Sequence, residues 1–263
     1  MEQFSKAIKD RRPVFGLCAD HFCRPLLAKL YKASDADFVY LEYEHSFYSA
    51  NDLHDFLLMC KTVDLPLVVK TPYLDRGAIT KLLDAGATGI QLPMTETEEQ
   101  IRTLHDYVKF PPEGKRAAGH DFTNTGYGDV EDYSEALKGS NRNTLVIAHV
   151  ETAKSVENID SILGSGCADI MFIGAFDLSV SLGHPAKMDH PEVQKAIRIL
   201  RDSALRHNVA AGLYVPTAEK AEYWLHEGFT FFEIASEVEF ILNGAESLIK
   251  SLKGISGQER VQI

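Results

Sequence analysis

Residues 67–94 read LVVKTPYLDRGAITKLLDAGATGIQLPM. An apolar run at 67–71 (LVVKT) leads into a helical pattern at 76–85 and a glycine stop at Asp84-Ala85-Gly86. A second run, GIQLPM, follows at 89–94. Both runs have continuous apolar cores rather than strict alternation. Strands of that kind are buried on both faces, which is the habit of parallel sheets. The segment therefore reads as strand, crossover helix and parallel strand.

The unit repeats outward in both directions. Further runs lie at 14–19 (VFGLCA), 38–43 (FVYLEY), 144–150 (TLVIAHV), 170–174 (IMFIG), 210–215 (AGLYV at its end) and 231–235 (FFEIA). Helical patterns fall at 49–63, with Leu53, Phe56, Leu57 and Cys60 in phase, and at 97–108, 191–207 and 218–227. The last follows a Pro-Thr turn suited to capping and ends at Glu227-Gly228. Eight strands alternate with helices in 263 residues, with no linker, no low-complexity tract and no G-x-G-x-x-G after the first strand. The expected fold is α/β, a single (β/α)8 TIM barrel over residues 1–263. Two intervals, 95–143 and 176–209, are longer than one helix. Both follow strands, on the face where barrel enzymes keep their chemistry.

Composition narrows the function classes. Hydrophobic residues at 45% and charged residues at 25% describe an ordinary globular chain. No apolar run reaches the ~18 residues of a membrane span, and the first residues, MEQFSKAIKDRRP, carry no apolar signal core. A net charge of −11 without a basic block argues against nucleic acid as a partner. Cys18, Cys23, Cys60 and Cys167 form no CxxC pair, so buried reduced thiols and a cytoplasmic location are expected.

In a barrel the polar residues at strand C-termini carry the information. Strand two ends Glu42-Tyr43-Glu44-His45, where alternation puts both glutamates on one face. Strand three ends in Lys70, strand five in His149 followed by Glu151, and strand six runs into Gly174-Ala175-Phe176-Asp177. Two carboxylates with substrate oxygens and waters suit a hard divalent cation, Mg²⁺ or Mn²⁺ first, with Co²⁺ and Zn²⁺ as alternatives. A histidine beside a carboxylate is the usual general acid/base. A glycine before a metal-binding carboxylate lets backbone N–H groups approach an anion.

At these residues the chain resembles the HpcH/HpaI aldolase family, metal-dependent class II pyruvate aldolases on phosphoenolpyruvate/pyruvate-type barrels. The matching pieces are EYEH (42–45), LLDAGATGIQLPM (82–94), FPPEGKR (110–116), HVET (149–152), IGAFDLSVSLGHP (173–185), HPEV (190–193) and AAGLY (210–214). The resemblance implies Glu151 and Asp177 as metal ligands and His45 as the catalytic histidine. It implies Glu42 beside that histidine, Lys70 as the strand-three cation near the enolate oxygen, and Asp84 near a subunit interface at the aldehyde end. His149, Gly174, Phe176, Asp177 and Leu213 become substrate contacts, with the Phe176 and Asp177 N–H groups holding the substrate carboxylate. It also implies a homo-oligomer, often a hexamer, with a swapped C-terminal helix at 237–252.

This chain departs from the pattern around an intact metal pair. It has Glu42 for the family's aspartate, Lys70 for arginine, His149 for glutamine, Glu237 for aspartate and Ala117 for a glycine. Lysine cannot make arginine's bidentate fork. The expected reaction is reversible aldol cleavage of a 4-hydroxy-2-oxo acid to pyruvate, or a related 2-oxo acid, and an aldehyde. The alternatives are Schiff-base chemistry at Lys70, another lyase or an oxo-acid decarboxylase of the superfamily, and a non-catalytic binding barrel.

Overall fold

The computed structural model describes residues 1–119 and 130–256. Its eight parallel strands pair in chain order, β1 to β8, and the last pairs with the first to close a barrel. They are β1 (Val14–Ala19), β2 (Phe38–Glu42), β3 (Leu67–Lys70), β4 (Gly89–Leu92), β5 (Leu145–Val150), β6 (Ile170–Ile173), β7 (Ala210–Tyr214) and β8 (Phe231–Ser236). The TIM-barrel expectation holds, and each strand lies within a residue or two of its reading.

The helices are α1 (Glu2–Lys9), α2 (Pro25–Ala33), α3 (Ala50–Thr62), α4 (Arg76–Asp84), α5 (Glu98–Val108) and α6 (Tyr133–Asn143). They continue as α7 (Ala153–Gly164), α8 (Ala175–Ser181), α9 (Pro191–Arg206), α10 (Ala218–His226) and α11 (Glu237–Ser256). Their ends follow local chemistry. Ser49, Asp75, Thr97, Thr152 and Thr217 each accept a backbone N–H in the first turn of the following helix, and Thr97 with Gln100 completes a capping box. Gly86 and Gly228 turn the chain out of α4 and α10 at φ 116 and 92.

Alternation sorts the side chains into two cores. Val39, Leu41, Val69, Ile90, Val146, Ala148, Met171, Ile173, Ala211 and Leu213 face the helices. Val14, Phe38, Val68, Leu145, Ile147, Ile170, Phe172 and Phe231 fill the barrel interior, closed below by Phe4, Ala7 and Ile8 of α1. The layer above the aromatics is polar, and it continues into the strand ends.

The helix α11 stands apart. Phe240, Ile241, Leu242, Leu248, Ile249 and Leu252 are all about half exposed or more. Beside it the barrel presents two apolar recesses, lined by Phe15, Leu17, Leu30 and Ile234, and by Phe15, Val215, Leu225 and Ile234. The four cysteines are free; three are buried, and Cys167 is only half-buried. Among the described residues no helix is long and apolar enough to cross a membrane.

Candidate active site

Register brings Glu42 of β2 opposite Lys70 of β3, and Lys70 opposite Gln91 of β4. The Lys70 ammonium lies 2.7 Å from Glu44 Oε2 and 3.4 Å from Glu42 Oε2, with its side chain 6% exposed. Burial alone would lower the Lys70 pKa. The Glu42 charge, the Glu44 hydrogen bond and the Glu151 charge outweigh burial and raise it. Lys70 is therefore a protonated, neutralised cation and a poor amine nucleophile.

Glu42 is held by three donors: the Tyr40 hydroxyl at 2.9 Å, the Glu44 N–H at 2.7 Å and the His45 N–H at 3.1 Å. It thus fixes the turn that carries His45 through the backbone. The His45 imidazole is mostly exposed, and its nearest acid is Glu44, 3.5 Å from Nε2. Glu44 is the nearer carboxylate, and the three residues gather so that Glu42 also has an oxygen within 4.8 Å of a ring nitrogen.

Across the barrel, β5 aims His149 and then Glu151 inward. Glu151 is 2% exposed. Its Oε1 accepts the Met94 N–H at 2.7 Å, which the left-handed Met94 (φ 50) turns toward it. Burial pushes the Glu151 pKa up to about 7, aided by the Asp177 and Glu44 charges and opposed by the Met94 N–H and Lys70. His149 Nε2 lies 3.1 Å from Glu151 Oε2, and its Nδ1 lies 3.3 Å from the Gln91 amide. Burial, then the Lys70 charge, lowers the His149 pKa well below its usual value, so the ring is neutral. Beneath them Glu233 of β8 is 3% exposed, and burial drives its pKa well up. Gln91, Glu233 and the tether Tyr40 belong to the site, although each is a single polar residue inside an apolar run.

Gly174 caps the N-terminus of α8. A Cβ there would lie 2.5 Å from His149 Nε2 and 2.6 Å from Glu151 Oε2, so only glycine fits. Asp177 and Phe176, both exposed, sit in the first turn of α8, whose N–H groups lack intrahelical acceptors. These residues fit a divalent cation. Glu151 is a buried carboxylate lacking a full counter-charge, raised further by Asp177, and beside it lies a buried nitrogen unpartnered among the described residues.

Two expected residues, Asp84 and Leu213, sit elsewhere, and Glu237, one of the departures, has a structural role. Asp84 ends α4, and helices of a barrel end opposite the strand C-termini; it pairs there with the buried Arg116 at 2.7 Å. It therefore does not reach the pocket of its own chain. Alternation turns the Leu213 side chain outward into the helix-facing core, so only its backbone borders the strand ends. Glu237 opens α11 and accepts the N–H groups of Asp20, His21 and Phe22 at 3.1, 2.6 and 2.9 Å, anchoring the loop after β1. Residues 120–129 of the long 95–143 interval lie outside the described residues.

Comparison with known proteins agrees with the barrel fold. The family model described as HpcH/HpaI aldolase/citrate lyase matches residues 22–244. A 5-keto-4-deoxy-D-glucarate aldolase from Shigella boydii serotype 18 is 28% identical over 254 residues, covering 95% of this chain and 96% of its own. The HpcH/HpaI aldolase from Desulfitobacterium hafniense DCB-2 superposes with a TM-score of 0.89 at 25% identity, covering 94% of this chain and 95% of that one. A family protein from Burkholderia cenocepacia J2315 shares the fold at TM-score 0.88 and 23% identity, over 96% and 100% of the two chains.

Proposed function

The chain belongs to the HpcH/HpaI aldolase/citrate lyase family, and on that footing we propose that it is a divalent-metal-dependent aldolase. It reversibly cleaves a 4-hydroxy-2-oxo acid into pyruvate, or a close 2-oxo acid, and an aldehyde. The observation that carries this reading is the buried Glu151, whose carboxyl feels the charges of Asp177 and of a protonated Lys70. The relatives named for a deoxy-keto sugar acid support a hydroxylated oxo-acid substrate.

Glu151 and Asp177 would hold the cation, Mg²⁺ or Mn²⁺ first, which supplies Lewis-acid polarisation of the 2-oxo group. The chain's own residues do the rest. Lys70, fixed by Glu42 and Glu44, sets a permanent positive charge where the enolate oxygen develops. The Phe176 and Asp177 N–H groups, in the first turn of α8, are free to take the substrate carboxylate. His45, next to Glu44, moves the proton at the aldehyde oxygen. The raised Lys70 pKa speaks against a Schiff-base route.

Proton–deuterium exchange at the pyruvate methyl, followed by NMR with and without Mn²⁺, tests enolate chemistry before the aldehyde is known. Absence of metal-stimulated exchange would sink the reading. In the same assay His45→Ala should lose little exchange, while aldol cleavage should fall ~10²-fold or more. Equal losses in both would move His45 to the enolate step or out of the mechanism.

We read the protein as a cytoplasmic homo-oligomer in which a second copy's α11 covers the recesses on the outside of β1 and β8. Phe240 of α11 borders both recesses within its own chain, while Ile241, Leu242, Leu248, Ile249 and Leu252 stay half exposed or more. Burying those five side chains gives on the order of 10 kcal/mol gross, enough to offset an association cost of about 4–15 kcal/mol only if the fit is good. The double variant Leu248→Asp with Leu252→Asp should therefore shift the mass seen by light scattering to that of the monomer. An unchanged mass would mean that α11 plays no part in assembly.

A further inference from the structure

We propose that His149 is a third protein ligand of the divalent cation, bound through Nε2. The centre in this chain would then be two carboxylates and an imidazole, beyond the carboxylate pair that the family resemblance implies. The inference rests on the metal-dependent reading above.

The geometry around the ring carries it. His149 and Glu151 are two residues apart on β5 and its extension, so both face the barrel axis. Nε2 and Glu151 Oε2 are 3.1 Å apart. That distance would suit a hydrogen bond, but among the described residues the nitrogen has no hydrogen-bond partner although it is fully buried. The contact therefore fails as a hydrogen bond on angle rather than on distance. An unpaired buried ring nitrogen is costly and needs a partner. Neighbouring ligands at right angles around a cation, each about 2.1 Å from it, lie about 3.0 Å apart. The observed separation matches that arrangement.

The surroundings hold the ring in this pose. Phe172, its register partner on β6, meets it edge-on at 5.0 Å and an interplanar angle of 89°. Gly174, three residues before Asp177, packs close to both atoms, since a Cβ there would lie 2.5 Å from Nε2 and 2.6 Å from Oε2. At the other end of the ring, Nδ1 faces the Gln91 amide. The two ends of that amide have the same shape, and its oxygen can accept the Nδ1 proton. The lone pair then resides on Nε2. An amide or carboxyl behind a ligating imidazole is the usual supporting arrangement.

An imidazole in the set shifts preference away from Mg²⁺ and toward Mn²⁺, Co²⁺ or Zn²⁺. The test uses the full-length protein loaded with Mn²⁺, and its His149→Gln variant, which carries the residue the family commonly has there. Pulsed EPR should show coupling to a directly bound nitrogen in the parent and none in the variant. By titration calorimetry, Co²⁺ affinity should fall at least about tenfold in His149→Gln, while Mg²⁺ affinity changes far less. Circular dichroism and thermal unfolding check that the variant folds. A parent that binds Mn²⁺ without nitrogen coupling, or an unchanged Co²⁺/Mg²⁺ ratio in the variant, overturns the inference and leaves the metal-dependent reading intact. A parent that binds no divalent metal overturns both.

Discussion

Glu151→Gln or Asp177→Asn should abolish divalent-metal binding and lower metal-stimulated exchange at the pyruvate methyl by at least about 10²-fold. Each substitution deletes an anionic oxygen while keeping side-chain volume. The fold should survive, and for Glu151 the sign can be worked out. Its pKa is raised from 4.5 to about 7 in the folded chain, mainly by burial. A carboxyl with a raised folded pKa favours folding while protonated, and that advantage is lost as pH rises through the folded value. At pH 8 the metal-free protein thus carries a buried charge that costs about 3 kcal/mol relative to the protonated group. Glu151→Gln should therefore raise the Tm of the metal-free protein at pH 8 and have little effect near pH 4. Unchanged exchange in either variant, or a lower Tm at pH 8 for Glu151→Gln, would count against the assignment.

The barrel was legible because its strands are continuous apolar runs between helices with clear caps. Glycine at 86 and 228, and threonine at 97 and 217, mark ends that the structure keeps. The short α1 was less legible. Phe4, Ala7 and Ile8 have helical spacing, but eight residues are too few to tell a helix from a loop without the barrel floor they plug.

The site was legible at strand ends and opaque within strands. Lys70, Gln91 and Glu233 share one signal, a lone polar residue at an inward position of an apolar run. Only Lys70 ends its run, so only Lys70 reads as part of the pocket. Alternation gives Glu42 and Glu44 the same face, and both do reach Lys70. Which of them lies nearer the His45 ring depends on the turn after β2, where no period applies. Asp84 follows from topology alone, since a residue that ends a barrel helix lies opposite the strand ends. If it serves a pocket, that pocket belongs to another copy.

Lys70→Met should cost on the order of 2–4 kcal/mol of enolate stabilisation, seen as roughly a 30- to 1,000-fold loss of exchange at saturating Mn²⁺. The ammonium is the nearest cation to both Glu42 and Glu44, at 3.4 and 2.7 Å. Removing it leaves two carboxylates facing the place where negative charge must develop, so the loss includes new repulsion as well as missing attraction. Lys70→Arg separates two accounts of the substitution. The resemblance pairs a shorter acid with a longer base, aspartate with arginine; this chain pairs glutamate with lysine. The reach of the acid has grown as that of the base has shrunk, which is what a rebuilt site looks like. An arginine opposite Glu42 would then be too long for a side-chain space that is only 6% exposed, and exchange should fall. Adding Glu42→Asp should recover part of that loss, so the two changes together should cost less than the sum of each alone. If Lys70→Arg keeps or improves exchange by itself, lysine merely substitutes for arginine's charge. Full activity in Lys70→Met would remove the side chain from the mechanism and leave its two glutamates to be explained as a structural ion pair.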